Sequence, residues 1–268
     1  MFAALSPARR RFMLILVGLM AAGTLAVTVL VVRATRVNDV QPVAQDLPGP
    51  VLLVPGYGGS TESLLALAGA LREEGRDVTV VATPGSGTGD LVEQAETLSG
   101  AVDAALERTG DNSVDVIGYS AGGVVARLWV RDFEGGSRAR RVVTLGSPHH
   151  GANLAGLARD ITPSQCPMAC QQLAPQSDLL RTLNAGDETP PGPVYVTIWT
   201  ATDEVVEPPD SAALEGGLNI IVQSLCPGAD VSHGDLPREP ALIALVLRQV
   251  EESAPSVPED ADCQSLSS

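Results

Sequence analysis

The chain is expected to fold as an α/β domain, a mostly parallel central sheet with helices on both faces. Three observations lead there. From residue 50 onward, short apolar or β-branched runs alternate with longer helix-like stretches, the pattern of parallel strands joined by crossover helices. One of these junctions carries Gly118-Tyr119-Ser120-Ala121-Gly122, a G-x-S-x-G set between an apolar run and a helical stretch. Residues 50–252, roughly 200 in number, are enough for one domain with a full core, and no internal repeat divides them.

The elements follow in chain order. Val51-Leu52-Leu53-Val54 is a continuous apolar run and reads as a buried strand, followed by a helix at 61–74. A strand at 78–82 and a helix at 91–108 come next. The run Val114-Asp115-Val116-Ile117 predicts a strand at 114–117, which the G-x-S-x-G turn joins to a helix at 121–132. A strand is expected at 142–146. Residues 152–193 form the longest irregular insertion, too short for a large cap, with a helix at 177–184. Val194-Tyr195-Val196-Thr197-Ile198-Trp199 is β-branched and aromatic and predicts a buried strand at 194–199. A strand at 219–223 and a helix at 238–251 complete the domain. Residues 37–49 read as a polar, proline-containing linker, and 253–268 as an acidic disordered tail.

The chemistry centres on Ser120. A strand, a tight turn and a helix form a nucleophile elbow, which lifts a serine hydroxyl above the sheet. The turn needs small flanking residues, supplied by Gly118 and Gly122. A serine needs a base, usually a histidine oriented by a carboxylate. The chain has only three histidines. Where a serine sits on such an elbow, the chain order is Ser, then Asp or Glu, then His. His233, in Val231-Ser232-His233-Gly234-Asp235, meets that order. His149 and His150 follow the strand at 142–146 and would need an acid from the short interval holding Asp132 and Glu134. They read instead as a turn that walls the site. The acid is expected just after the strand at 194–199, where Asp203 lies. Glu204 beside it is expected to point elsewhere, and Asp187 and Asp210 are rivals farther from the strand end. The developing oxyanion needs two preorganised backbone donors. Ala121, next after the nucleophile, supplies one amide. The loop Pro55-Gly56-Tyr57-Gly58-Gly59-Ser60 after the first strand supplies the other at Tyr57, Gly56 and Gly58 giving it conformational freedom.

Five segments carry a resemblance to a known family. Leu53-Val54-Pro55-Gly56-Tyr57-Gly58-Gly59, Gly118-Tyr119-Ser120-Ala121-Gly122-Gly123, Leu145-Gly146-Ser147-Pro148-His149-His150-Gly151, and the pair Asp203-Glu204-Val205-Val206 with His233-Gly234-Asp235-Leu236 resemble the oxyanion loop, elbow, G-T-P-x-H-G turn and acid and base regions of bacterial lipases. The match is to the small α/β-hydrolase, class 2 type, which includes minimal lidless forms, and spans about residues 50 to 250. The resemblance implies an α/β-hydrolase fold, a Ser120, Asp203 and His233 triad, and oxyanion donors at Tyr57 and Ala121. It implies a serine carboxylester hydrolase acting on an ester or lipid without metal or other cofactor. Departures are Pro55 where a histidine is common, and Tyr119 and Ala121 where His and Met are frequent. Pro55 removes a hydrogen-bonding group and bears on substrate range. Gly85-Ser86-Gly87-Thr88-Gly89-Asp90 has the spacing G-x-G-x-G rather than that of a dinucleotide loop and reads as a loop over the site. A cell-envelope acyltransferase with the same triad and a noncatalytic envelope binding protein on a hydrolase fold are the alternatives, and amidase chemistry would use the same residues.

Acidic residues outnumber basic ones by 32 to 17, a net charge of −15, and every basic residue is arginine. Nucleic acid, which requires basic patches, is excluded as a partner. Attraction to anionic headgroups is disfavoured as well. Arg9-Arg10-Arg11 precedes the uncharged run Phe12–Val32, and residues 1–36 read as a targeting segment. The run is long enough to span a bilayer, so an uncleaved anchor is preferred over a cleaved signal. In either case the catalytic domain faces outward. That location suits four cysteines, for which Cys166–Cys170 with Cys226–Cys263 is the preferred pairing and a bridge from Cys226 to the 166–170 loop the rival.

Overall fold

The structure, a computed structural model, describes residues 11, 14–21, 23–24, 40–153 and 166–258. Two compact units divide the chain, Met1–Val40 and Gln41–Ser268. In the first, the described residues from 11 to 24 are helical and exposed. No helix among the described residues is long and apolar enough to cross a membrane. Phe12, Met13, Ala22 and residues 25–32 of the apolar run lie outside them.

The second unit is built on a six-stranded sheet, parallel throughout, in the order β2-β1-β3-β4-β5-β6. The strands are β1 (Val51–Val54), β2 (Val78–Val80), β3 (Val114–Tyr119), β4 (Ala139–Leu145), β5 (Val194–Trp199) and β6 (Leu218–Ile221). The helices are α1 (Leu65–Glu73), α2 (Leu91–Thr109), α3 (Ala121–Asp132), α4 (Met168–Gln172), α5 (Asp178–Leu183), α6 (Val222–Leu225) and α7 (Pro240–Gln249).

Successive strand residues point to opposite faces, and the core divides accordingly. Leu52, Val54, Val114, Val116 and Val142 join one apolar cluster with α2 and α3. Val51, Leu53, Ile117, Val143 and Leu145 join another with α1 and α7. Both faces of the sheet are therefore covered, and the strands read as near-continuous apolar runs for that reason. The strand order reverses between β1 and β3, which places a crevice beyond the carboxyl ends of these two strands.

The elements β1, β5 and α3 begin and end at the expected residues. β4 begins at Ala139, three residues before the expected 142, because two arginines enter the sheet. Arg140 and Arg141 are almost wholly buried, and their pairing with β3 shifts register between Val114 and Asp115, so Arg140 is the extra residue of a bulge. The buried Asp115 explains it. Arg140 donates from Nε and Nη2 to the two Asp115 carboxylate oxygens at 2.9 and 2.6 Å. Its other hydrogens reach the carbonyls of Gln45, Val250 and Glu251 at 3.0, 2.6 and 2.7 Å. All five guanidinium hydrogens are used. Arg76 adds bonds to Asp115, Gly49 and Val250.

The expected linker at 37–49 is described from residue 40, and Gln45 lies within reach of both arginines. Residues 253–258 of the expected tail are irregular but in contact, since Ser253 and Ser256 accept from Arg141 and Gln249. Within the expected irregular insertion, Met168–Gln172 forms a helix too short to show a periodicity. α6 replaces the end of the expected strand at 219–223. Cys166 and Cys170 are bridged, which removes the rival pairing to that loop. Cys226 is also disulfide-bonded. Cys263, its preferred partner, lies outside the described residues.

Candidate active site

Ser120 occupies the junction of β3 and α3 with φ 53° and ψ −125°, a conformation L-residues rarely adopt. Its amide donates to the Leu145 carbonyl at 2.8 Å, tying the turn to the end of β4. The flanking glycines are fixed by close approach. A Cβ on Gly118 would lie 2.5 Å from the Gly122 main chain, and one on Gly122 would lie 2.2 Å from the Val54 carbonyl. Helix α3 can therefore begin at Ala121 only if both positions lack a side chain.

The loop after β1 meets this turn. Val54 pairs with Gly118, and a Cβ on Gly56 would come within 3.0 Å of the Ser120 Cβ. Gly58 has φ +83° and donates to the Gly87 carbonyl at 3.2 Å. Gly87 itself packs so tightly that its Cβ would lie 2.4 Å from the Gly59 nitrogen. The Gly85–Asp90 loop thus lies directly against the Gly56–Gly59 loop. Insertion residues secure it in turn, Ala169 donating to the Thr88 carbonyl and the Gln172 side chain bridging Asp90 and Leu91. Among the described residues, neither the Tyr57 nor the Ala121 amide donates to an acceptor. For Ala121 this is the ordinary condition of a first helical residue.

Asp203 and His233 meet as a buried pair, Nδ1 to Oδ2 at 2.8 Å. The other Asp203 oxygen accepts the Val205 and Val206 amides at 2.9 and 2.8 Å. Thr200 and Thr202 both donate to the Val231 carbonyl, stitching the acid-bearing loop to the segment before the histidine. The pair lies against the Leu145-Gly146 backbone that Ser120 also contacts. A Cβ on Gly146, at φ +52°, would lie 3.1 Å from His233 Nδ1 and 3.2 Å from Asp203 Oδ2. Tyr119 closes the arrangement, its ring tilted over the imidazole with centroids 5.1 Å apart. Burial, with Asp203 and Glu204 nearby, pushes the Tyr119 phenol up to about 12.

The two expected rivals of Asp203 are placed in turns of their own. Asp187 accepts the Thr189 N–H in its own turn, and Asp210 lies in the first turn of a short 3-10 helix, Pro209–Ala212. Glu204, expected to point elsewhere, accepts the His233 main-chain N–H at 3.0 Å. That role left no trace in the sequence, since it depends on a backbone group and not on a residue type.

The other two histidines bond to partners other than Asp203. His149 is buried and pairs with Thr144 at 3.1 Å. Desolvation, reinforced by the Arg127 charge, holds its protonated form well below the ordinary 6.5, so it is a neutral imidazole. His150 is exposed and pairs with Glu188 at 2.7 Å. Behind them Arg127 is buried against Asn184 and the Glu188 carbonyl, and burial lowers its guanidinium to about 10. Among the described residues no group of three or more His, Cys, Asp or Glu is arranged to hold a metal.

A serine on a strained turn, a histidine–carboxylate pair across the same backbone and two uncommitted amides can perform acyl transfer through a covalent intermediate. Comparisons with known proteins agree with the architecture. A family model described as the alpha/beta hydrolase fold matches residues 49–165. Lipase B of Pseudozyma antarctica is 28% identical over 189 residues, 66% of this chain and 54% of that protein. The chain therefore spans about half the length of that relative. The crystal structure of Aspergillus fumigatus lipase B superposes with a TM-score of 0.66 at 20% identity, covering 82% of this chain and 57% of that one. The mature Bacillus licheniformis lipase gives 0.62 at 17% identity, covering 79% and 94%. The fold is that of the α/β-hydrolases, with a six-stranded parallel sheet between helical layers.

Proposed function

We propose that this α/β-hydrolase-fold chain is a serine carboxylester hydrolase of lipase or esterase type. One observation carries the reading: Ser120 sits in a strained elbow conformation whose backbone partner, the end of β4, also packs against the Asp203–His233 pair. The similarity to three lipases supports the choice of esters over other acyl compounds.

Ser120 Oγ attacks the ester carbonyl while His233 Nε2 takes its proton. The carbonyl π pair moves onto oxygen, and the Tyr57 and Ala121 amides donate to that oxyanion. Asp203 holds the imidazole by Nδ1 and stabilises its protonated form. Collapse re-forms the carbonyl and expels the alkoxide, which leaves as the alcohol with the proton from His233. The acyl-enzyme is then hydrolysed when His233 deprotonates a water that attacks the same carbon. The second tetrahedral intermediate releases the acid and restores the serine hydroxyl.

The N-terminal segment is proposed to export the catalytic domain, as an anchor or a signal; its uncharged run and the disulfide chemistry suit an oxidising compartment. The test is turnover of a p-nitrophenyl ester series by the full chain, with Ser120→Ala alongside. The expected result is hydrolysis that falls by at least ~10³-fold in the variant. Near-normal turnover by Ser120→Ala, or none by the folded wild type, would overturn the reading.

A further inference from the structure

His233 opens a 3-10 helix of three residues, His233–Asp235, closed by a Ser232–Asp235 capping box. So short a turn leaves the main-chain groups of His233 without helical partners. Both find side chains instead. The N–H donates to Glu204 Oε2 at 3.0 Å, and the carbonyl accepts the Tyr119 hydroxyl at 3.3 Å. Each of these side chains comes from a residue next to another member of the site: Tyr119 precedes Ser120, and Glu204 follows Asp203. The peptide groups on either side of the His233 Cα are thereby tied to the backbone that carries the serine and to the backbone that carries the acid. The imidazole keeps only its side-chain torsions, and Asp203 fixes those through Nδ1.

We propose that Glu204 is a positioning residue for His233, with Tyr119 as its weaker counterpart. The proposal rests on the reading of His233 as the general base. The bond to a carboxylate is charge-assisted and the stronger of the two, while the phenol bond is long. Loss of the Glu204 acceptor frees the base main chain at its amino side. A displacement of about 1 Å in a catalytic group costs up to ~10²-fold in rate, and it acts on the chemical step, not on ester binding.

The experiment uses the full chain with p-nitrophenyl butyrate as the probe. It compares wild type, Ser120→Ala, Glu204→Ala, Glu204→Gln, Glu204→Met and Tyr119→Phe, with circular dichroism melting for each. Glu204→Ala is expected to lower kcat about 30-fold with KM within about twofold. Glu204→Gln, whose amide oxygen still accepts the His233 N–H, is expected to return kcat to within about threefold of wild type. Tyr119→Phe is expected to cost about threefold. Should Glu204→Ala fail to fold, the near-isosteric pair decides, with Gln active and Met impaired. Wild-type kcat in Glu204→Ala, equal impairment of Gln and Met, or a loss confined to KM would each overturn the proposal while leaving the Ser120 reading intact. An inactive wild type or an active Ser120→Ala would instead remove the premise.

Discussion

The two ends of the sheet are held in opposite ways. At the amino end, the buried Asp115 charge is answered: Asp115 takes two arginines, and Arg140 spends every hydrogen on carboxylate or carbonyl oxygens. At the carboxyl end, Ser120 is strained and the Tyr57 and Ala121 amides have no acceptor among the described residues. One end is built from paired charge, the other carries backbone strain and main-chain donors without protein acceptors among the described residues. The difference teaches where mutations should separate activity from stability, because strain and unused donors persist only where surrounding structure enforces them.

The sharpest separation is expected at Ser120, the proposed nucleophile. Ser120→Gly removes the hydroxyl and relieves the backbone strain together. Ester turnover should fall at least ~10³-fold, while urea unfolding should show a gain of about 1 kcal/mol. A less stable Ser120→Gly would break the comparison. The converse is Asp115→Ala, which strands a buried guanidinium at the other end. It should cost about 3–5 kcal/mol in the same unfolding experiment and leave kcat of the folded fraction unchanged. Gly146→Ala tests whether the histidine–acid pair is as tightly backed as its contacts imply. Its Cβ at φ +52°, 2.5 Å from Leu236 and 3.1 Å from His233 Nδ1, should lower kcat about tenfold and stability by about 1–2 kcal/mol.

The smallest effect concerns pH. His149 is held neutral in the folded chain, its value depressed well below the 6.5 that an exposed imidazole shows. Below 6.5 the unfolded chain binds a proton that the folded chain refuses. Stability is therefore present in full above that value and is lost as pH falls through it, until the folded value is reached. Melting temperatures from pH 8 to 5 should decline less steeply in His149→Gln than in wild type. Parallel curves would show that His149 does not contribute this slope.

What could be seen in the sequence follows the same division. The apolar runs of β1 and β5 and the G-x-S-x-G before α3 announced themselves, because burial on both faces and a crowded turn restrict residue type. Asp203 and His233 could be picked out by chain order and strand-end position, and the structure brings them to 2.8 Å. Arg140 and Arg141 escaped, since a charged pair reads as a loop until its acid on the neighbouring strand is known. Glu204 escaped for another reason. Its partner is a main-chain N–H 29 residues away, and every residue except proline offers one.

The arginine cluster also bears on where the domain can be cut. A fragment trimmed to 50–252 would remove Gln45, Gly49 and Ser253. Arg76 would lose the Gly49 carbonyl and Arg140 the Gln45 carbonyl. Arg141, whose Nε already lacks a partner among the described residues, would lose its acceptors on Gln45 and Ser253. Fusion partners and affinity handles therefore belong outside residues 41 and 258, since the segments flanking the sheet are the solvent that its innermost cations never see.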